Sequence, residues 1–340
     1  MIIIWIIVFI VSLAFMVKSS DWLLEKAEKI GLALGISPFI VGVTIVGIGT
    51  SFPELISGLM AVWQGATEIV VANAVGSNVA NIFLVVGIAA VIGRKIVVTK
   101  NLIDLDLPLL AISTCLALVV IADRQVTFSE ALVLIAGYII YLFYTMQHKE
   151  DEDADIHKEG DLPNILPAGN DVGMSKYVSR KIKGKVKIRR SKITAIDLSI
   201  LLAGVAGLFI GSKYLIQSVI EISDILNIST GLIAISAVAI GTSLPELLVS
   251  VMAARDKKPE IAIGNIFGSN VFNLLFVIGV PGLITTLTID EPTMTIAVPG
   301  MIIATFLFII TSLSRKIHIW EGLFYLVFYV LFIGKLFGFI

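Results

Sequence analysis

The sequence predicts an all-α polytopic membrane protein in which ten transmembrane helices form two inverted five-helix repeats. Three observations support this fold class. Of the 340 residues, 57% are hydrophobic and only 15% are charged, whereas about 25% of a soluble domain is charged. Apolar stretches of about 20 residues, long enough to span a bilayer, recur along the whole chain. The third observation is an internal repeat that divides the chain into two related halves.

The ten predicted spans lie five on each side of one polar linker. They are residues 2–17, 36–62, 69–93, 105–122, 128–147, 195–220, 229–254, 261–286, 293–313 and 319–340. No basic region precedes the N-terminal apolar run, so we interpret this run as a retained first helix and not as a cleaved signal. We expect residues 21–29 to form an amphipathic continuation at the membrane interface. The predicted units are 1–147, a linker over 148–194, and 195–340.

The Lys and Arg residues are distributed very unequally between the two sides of these spans. One side collects eleven in short loops and eleven more in the linker. The other side has three, which are Arg124, Lys213 and Lys335. By the positive-inside rule, we expect a multi-pass protein of the cell membrane with both termini outside and the linker cytoplasmic.

The linker begins with an acidic cluster over residues 150–155 and ends with a basic cluster over residues 181–190. Such a composition cannot bury a core, so we expect a solvated, structureless segment. Two functional alternatives remain open at this point. The acidic cluster could sense calcium, and the basic cluster could contact anionic lipid.

The internal repeat keeps one register over about seventy residues. GTSFPELISGLM, starting at Gly49, matches GTSLPELLVSVM, starting at Gly241, at an offset of 192 residues. The same offset aligns ANAVGSNVANIFLVVG, from Ala72, with GNIFGSNVFNLLFVIG, from Gly264. Because each half contains an odd number of spans, the two halves enter the membrane from opposite sides. Inverted repeats of this kind place their substrate site at the bilayer midplane, where the two motifs meet.

Glu54 and Glu246 occupy equivalent positions inside these apolar spans. A carboxylate at the centre of a membrane helix costs at least about 2.5 kcal/mol, and the adjoining spans contain no Lys or Arg away from their ends. A bound cation is the natural counter-charge, and two carboxylates suit a divalent ion. The alternative is that each Glu is protonated and hydrogen-bonded at a helix interface, but its occurrence in both repeats argues against this.

Residues next to the glutamates add further oxygen atoms. Thr50 and Thr242 each lie four residues before a glutamate, on the same face of a regular helix. Pro53 and Pro245 lack an N–H and clash with the carbonyl four residues back, which frees that carbonyl to act as an ion ligand. The freed carbonyls belong to Gly49 and Gly241.

The third and eighth spans each have a polar stripe with a spacing of four residues. The stripes are Asn73, Ser77 and Asn81, and Asn265, Ser269 and Asn273. Gly76 and Gly268 lie beside them and are expected to let a neighbouring helix approach closely. Alone, such stripes are more typical of hydrogen bonding between helices, but beside two glutamates they favour ion ligation. An all-oxygen site selects hard cations, and its loose geometry favours calcium over magnesium.

The motifs GTSFPE and GTSLPE, each followed by GSNVAN or GSNVFN, resemble the two α-repeats of the cation/calcium antiporter superfamily. The ten-helix layout is similar to that of the prokaryotic sodium/calcium exchangers. The resemblance implies alternating access, in which entering sodium ions compete for the calcium pocket and drive calcium out.

The resemblance also implies a set of ion ligands. Glu54 and Glu246 would bind calcium and share sodium, with Asn81 and Asn273 completing the centre. One flanking sodium site would comprise Thr50, Ser51, Ser77 and the Gly47 carbonyl. The other would comprise Thr242, Ser243, Ser269 and the Ala239 carbonyl. Some prokaryotic relatives and the potassium-dependent branch have Asp in place of Asn273, so this chain departs from that pattern and is not expected to couple to potassium.

Other function classes fit the sequence less well. Proton/calcium exchange could use the same glutamates, although the proton-coupled branch has different residues around them. An ion channel would use a ring of charges from identical subunits, not one inverted pair. An enzyme is not expected, because the chain lacks Ser/His, HExxH or paired-Asp arrangements.

Few partners are expected beyond calcium, sodium and membrane lipid. The single cysteine, Cys115, is expected to be a small core residue without a disulfide, and no Cys/His cluster indicates a bound metal cofactor. The formal net charge of -1 gives no indication of a nucleic-acid partner. A monomer could suffice for the expected transport.

Overall fold

The computed structural model describes residues 2–34, 49–98, 102–158, 193–255 and 259–340. Within these residues, eight helices are long and apolar enough to cross a membrane, and a ninth span results if one bent helix pair is counted together. The all-α polytopic membrane class is therefore confirmed. The predicted second span, 36–62, is described only from Gly49 onwards, so the count of ten extends outside the described residues.

The helices are numbered here in chain order. They are α1 Ile2–Ala33, α2 Phe52–Trp63, α3 Glu68–Gly93, α4 Leu102–Asp123, α5 Phe128–Lys158, α6 Ala195–Leu226, α7 Thr230–Thr242, α8 Leu244–Arg255, α9 Pro259–Phe272 with its continuations Asn273–Val277 and Ile278–Gly282, α10 Thr293–Leu313 and α11 Ile319–Leu336. Four short strands connect them: β1 Lys95–Val97, β2 Gln125–Val126, β3 Leu287–Thr288 and β4 Lys316–His318.

The strand pairings obey the internal repeat. β1 pairs antiparallel with β4, placing Ile96 opposite Ile317, and β2 pairs antiparallel with β3, placing Val126 opposite Leu287. Moving β1 forward by 192 residues gives β3, and moving β4 back by 192 gives β2. The offset therefore exchanges the two sheets, as a two-fold relation between the halves requires. This supports inverted repeats.

Turns of π-helix also recur at equivalent positions. Ala80–Val86 in α3 corresponds to Asn273–Val277 in α9, and Leu102–Asp106 in α4 corresponds to Thr293–Ala297 in α10. Such turns are rare and are often found at functional sites. The first pair contains Asn81 and Asn273, two of the predicted ligands.

The first helix continues past its predicted end. α1 is one helix as far as Ala33, with no break at residue 17, and it packs against α6. Gly204 and Gly207 permit this approach, since a Cβ atom at Gly204 would lie 2.9 Å from the carbonyl oxygen of Ser19. The contact ends in an ion pair between Lys29 and Asp197, at 2.6 Å. Packing on α6 thus explains why the charged stretch remains helical.

The fifth helix also continues past its predicted end. α5 runs to Lys158, so the acidic start of the linker is helical and not structureless. This stretch contains good helix formers and no Gly or Pro before Gly160. The rest of the linker, residues 159–192, lies outside the described residues, and so does its basic cluster.

Polar and apolar residues are arranged as expected for a lipid environment. Large apolar side chains such as Ile140 on α5 and Phe324 on α11 are exposed, whereas the motif side chains are buried. Cys115 is exposed on α4, which corrects the expectation of a core position. An apolar thiol is compatible with lipid as well as with a core. The buried polar centre, in contrast, needs a specific explanation.

Candidate cation site

Both motif glutamates lie just after a break in a helix. α2 starts at Phe52 after a turn at Thr50 and Ser51, and α8 starts at Leu244 after a turn at Ser243. α7 and α8 are bent by 41° at this turn. Pro53 and Pro245 are each the second residue of the new helix, where the missing N–H is tolerated. The predicted break is therefore present between α7 and α8, while in the first repeat the described chain shows the turn and the start of α2 but not what precedes Gly49.

Glu54 and Glu246 are fully buried. No ion pair found among the described residues includes either carboxylate. Nowhere in the described parts of the chain do three His, Cys, Asp or Glu residues form a metal cluster. Any cation held here must therefore take some of its ligands from hydroxyl, amide or backbone oxygens.

Glu246 is surrounded by hydroxyl groups that already donate to it. The Ser51 hydroxyl donates to Glu246 Oε1 at 2.8 Å, and the Ser269 hydroxyl donates to the same oxygen at 3.2 Å. The Thr50 hydroxyl lies 3.4 Å from that of Ser269. We call Glu246, Ser269, Thr50 and Ser51 the Glu246 half-site. Its second carboxylate oxygen, Oε2, has no hydrogen-bond partner among the described residues.

Glu54 has the equivalent neighbours but not the equivalent hydrogen bonds. The hydroxyls of Ser77 and Thr242 face its carboxylate and lie 3.5 Å from each other. Within the described chain, however, neither Glu54 oxygen has a hydrogen-bond partner, and the same is true of the Ser243 hydroxyl. We call Glu54, Ser77, Thr242 and Ser243 the Glu54 half-site.

These contacts correct the grouping that the family resemblance implied. Ser77 contacts Thr242 from the other repeat, and not Thr50 or Ser51, while Ser269 contacts Thr50. Each half-site thus combines residues of both repeats. The expectation that Thr50 and Glu54 lie on one face of a regular helix is also wrong. Thr50 precedes the helix break, and its hydroxyl donates to Asn265 Oδ1 at 3.2 Å.

The backbone carbonyls differ from expectation as well. The Gly49 carbonyl accepts a hydrogen bond from the Ser20 hydroxyl at 3.4 Å. The carbonyls of Gly241 and Ala239 both accept from the Ser243 N–H. Each of these oxygens therefore already has one donor. Gly47 lies outside the described residues, so the carbonyl predicted there has no structural description.

The close approach expected at the two motif glycines is present at Gly76. A Cβ atom there would lie 2.6 Å from the carbonyl oxygen of Ile235, in α7. At Gly268 the nearest described atom to such a Cβ is the Tyr141 hydroxyl, at 3.9 Å. The repeat equivalent of Ile235 is Val43, which lies outside the described residues.

The predicted central ligands Asn81 and Asn273 are fully buried, one on α3 and the other on α9. Their side-chain N–H groups donate to Asn270 and Asn78 respectively. Their Oδ1 oxygens have no hydrogen-bond partner in the described structure. Sequence reasoning had not singled out Asn78 and Asn270, although both stand in the repeated GSN motif. Their occurrence at one offset in both repeats was the available signal.

Six buried oxygen atoms of the predicted site residues therefore have no hydrogen-bond partner among the described residues. They are both oxygens of Glu54, Oε2 of Glu246, Oδ1 of Asn81, Oδ1 of Asn273 and the Ser243 hydroxyl. Buried polar atoms in native proteins are nearly always satisfied, so such a set requires a partner. Calcium takes six to eight oxygen ligands, and sodium is also a hard cation. The residues present therefore fit a hard cation.

Comparisons with known proteins agree with this chemistry. The sequence matches the family described as sodium/calcium exchanger protein over residues 4–147 and 196–337. It is 33% identical over 346 residues to the sodium/calcium exchanger MaX1 of Methanosarcina acetivorans, covering 97% of this chain and 98% of the relative. It is 32% identical over 285 residues to the putative antiporter CaxA of Alkalimonas amylolytica, covering 83% and 81%.

The fold is similar to that of a solved exchanger. The structure of the sodium-calcium exchanger NCX_Mj, soaked with 2.5 mM Na+ and 0.1 mM Sr2+, superimposes with a TM-score of 0.63. The two chains are 27% identical, and the match covers 98% of this chain and 99% of that one. Motif, buried carboxylates, sequence match and fold all agree, and the chain belongs to the sodium/calcium exchanger family of membrane transporters.

Proposed function

We propose that this protein exchanges sodium for calcium across the cell membrane by alternating access, with the two half-sites as its ion pocket. The observation that carries the proposal is the set of six unpartnered buried oxygens, three of them on two carboxylates that have no basic partner in the described structure. Buried carboxylates and unpartnered buried oxygens of this kind are unfavourable by themselves, and a bound cation would balance them.

Each ligand has a distinct role in this proposal. Calcium binds between Glu54 and Glu246, with the side-chain oxygens of Asn81 and Asn273 beside it. Sodium occupies the two half-sites, one formed by Glu54, Ser77, Thr242 and Ser243, the other by Glu246, Ser269, Thr50 and Ser51. The Ala239 carbonyl completes the half-site that contains Thr242 and Ser243. The Gly47 carbonyl completes the half-site that contains Thr50 and Ser51.

The charge of the pocket determines the electrical behaviour of the cycle. Two carboxylates give the centre a formal charge of minus two, which one calcium ion neutralises. Three sodium ions, filling the half-sites and the centre together, leave one excess positive charge. Exchange is therefore electrogenic, and it is independent of potassium because Asn273 adds no third carboxylate.

We further propose that the termini lie outside and that the linker is cytoplasmic, since the short loops divide eleven basic residues against three. The pairing of β1 with β4 supports the alternation of the spans, because six crossings separate these strands if α7 and α8 count as one. In a Cys115→Ser background, a cysteine introduced at Arg124 should react only with external reagents, and one at Lys185 only with internal ones. Internal labelling at Arg124 would overturn this topology.

Calcium uptake into sodium-loaded proteoliposomes tests the function directly. Uptake should require an outward sodium gradient, and it should stop when sodium is collapsed with an ionophore. A proton/calcium exchanger would instead follow an imposed pH gradient without sodium, because its glutamates would carry protons. A channel would pass calcium down its own gradient with no counter-ion. Either result would replace the proposed function.

A further inference from the structure

Four asparagine side chains bridge α3 and α9 beside the ion pocket. They are Asn78, Asn81, Asn270 and Asn273, and each is at most 1% exposed. The repeat offset pairs Asn78 with Asn270 and Asn81 with Asn273. Only the second pair is part of the proposed ligand set, so the first pair requires its own account.

The hydrogen bonds between the two pairs cross from one repeat to the other. Asn81 Nδ2 donates to Asn270 Oδ1 at 3.1 Å, and Asn273 Nδ2 donates to Asn78 Oδ1 at 3.2 Å. These bonds occupy the N–H side of each ligand amide. The Oδ1 atoms of Asn81 and Asn273 are left without a hydrogen-bond partner among the described residues.

The orientation of an amide matters greatly beside a cation. An asparagine has an acceptor on one edge and two N–H donors on the other, and rotation about its last torsion exchanges the edges. The donor edge repels a cation, whereas the acceptor edge binds it. A fixed acceptor opposite the N–H group therefore decides which edge the ion meets.

We propose that Asn78 and Asn270 are positioning residues that orient the amides of Asn273 and Asn81, so that both ligand oxygens face the cation. This inference rests on the proposed ion pocket. Asn78 and Asn270 act through their neighbours, because their own Oδ1 atoms are already occupied as acceptors. They are thus poor candidates for direct ligands.

Asn78 is itself anchored at both ends of its amide. Its Nδ2 donates to the backbone carbonyl of Asn270 at 3.0 Å, which turns its Oδ1 towards Asn273. Asn270 Nδ2, the symmetric donor, has no partner in the described structure. The two positioning residues are therefore held unequally, although each presents an acceptor to its own ligand amide.

A double-mutant cycle separates positioning from general packing. Asn78→Leu and Asn270→Leu keep the approximate volume while removing the acceptor. Each is made in the wild type, in Asn273→Asp and in Asn81→Asp, because a carboxylate presents oxygen at both edges and needs no orientation. Calcium KM in proteoliposomes and calcium binding in detergent by titration calorimetry are measured for all nine proteins.

The expected result is a crossed pattern. Asn78→Leu should raise the calcium KM about tenfold in the wild type and in Asn81→Asp, the loss of about one hydrogen bond, but leave it unchanged in Asn273→Asp. Asn270→Leu should raise it about tenfold in the wild type and in Asn273→Asp, and leave it unchanged in Asn81→Asp. The calorimetric dissociation constants should follow the same pattern.

Several results would overturn the inference. They are an equal KM increase in every background, a fall in maximal rate with no change in KM, and no effect at all. If a leucine variant unfolds, as judged by its melting temperature, the corresponding alanine or serine variant takes its place in the cycle. If the wild-type protein shows no sodium-driven calcium uptake, the proposed function is refuted instead. Failure of the positioning inference and failure of the proposed function are therefore distinguishable.

Discussion

The Glu54 and Glu246 half-sites contain the same residue types at equivalent positions but are not equally hydrogen-bonded. Glu246 accepts hydrogen bonds from Ser51 and Ser269. Glu54 accepts none from the described residues, and the Ser243 hydroxyl, the equivalent of Ser51, also has no partner there. The demand for a cation is therefore concentrated at Glu54 in this conformation.

An inverted repeat can hold its two half-sites in different conformations, which a strictly symmetric pocket cannot. Two identical half-sites in identical conformations would leave the carrier open to both sides or to neither. If the repeats exchange conformations during the cycle, the satisfied and unsatisfied half-sites exchange as well. The unequal hydrogen bonding is then a property of one state and not of one repeat.

The largest expected effect comes from removing either carboxylate charge. Glu54→Gln and Glu246→Gln should each reduce sodium-driven calcium uptake at least about 100-fold, because both charges are needed to balance the same divalent ion. Initial rates in proteoliposomes measure this, with melting temperatures in detergent to confirm folding.

Glu291→Gln is a matched control for these substitutions, since Glu291 is an exposed carboxylate that pairs with Arg124 and lies outside both motifs. It should transport calcium at the wild-type rate. If only one of the two motif variants lost activity, the half-sites would be functionally unequal, and a shared central calcium site would be wrong.

A smaller effect is expected from the two equivalent serines. Ser51→Ala removes a hydrogen bond to a carboxylate, worth about 1.5 kcal/mol, and should slow exchange about tenfold. Ser243→Ala removes a hydroxyl without a hydrogen-bond partner in this conformation, yet it should slow exchange to a similar degree if the repeats exchange roles. If Ser243→Ala exchanged ions at the wild-type rate, the difference in hydrogen bonding between the two half-sites would persist through the whole cycle.

Much of the fold could be predicted from sequence because its signals are local. The apolar runs predicted the spans, the internal repeat predicted the inverted halves, and Pro53 and Pro245 predicted the helix breaks. The end of α5 was missed, and the expected continuation of α1 over residues 21–29 is helical but packs on α6. In α1 the helix continues because it packs on Gly204 and Gly207 of α6, which no local pattern reveals.

The contacts within the site were harder to predict than the residues that form it. The repeat identified Ser77 and Thr242, but their contact joins two repeats across the pseudo-two-fold axis. The family resemblance instead implied a grouping of Ser77 with Thr50. The hydrogen bonds of Asn78 and Asn270 were missed for the same reason, because each joins the side chain to an asparagine of the other repeat. Residue types follow from sequence, whereas their partners require the fold.

A few-fold effect is expected from the membrane potential. If both half-sites and the centre fill with sodium, one net charge moves per cycle, worth about 1.4 kcal/mol at 60 mV. An inside-positive potential should therefore speed calcium uptake into sodium-loaded vesicles, and an inside-negative potential should slow it. Valinomycin with graded potassium sets the potential. Rates that ignore the potential would show that only two sodium ions bind, leaving one half-site empty.

The smallest expected effect is that of potassium itself, which should be none. Asn81 and Asn273 are both neutral amides, and each has an Oδ1 without a hydrogen-bond partner among the described residues. The pocket then has two formal negative charges, and three sodium ions already exceed them. A potassium ion would raise the excess to two positive charges in a buried site, which is unfavourable without a further carboxylate.

The measurement compares calcium uptake in symmetric potassium with uptake in symmetric choline, both at zero potential, using valinomycin in the first and a protonophore at equal pH in the second. Asn273→Asp provides the matched variant, because it supplies the missing charge at that position. Equal rates in the wild type, with potassium stimulation only in Asn273→Asp, are the expected outcome. Potassium-dependent uptake by the wild type would show that the amide of Asn273 does not set the ion selectivity of the centre.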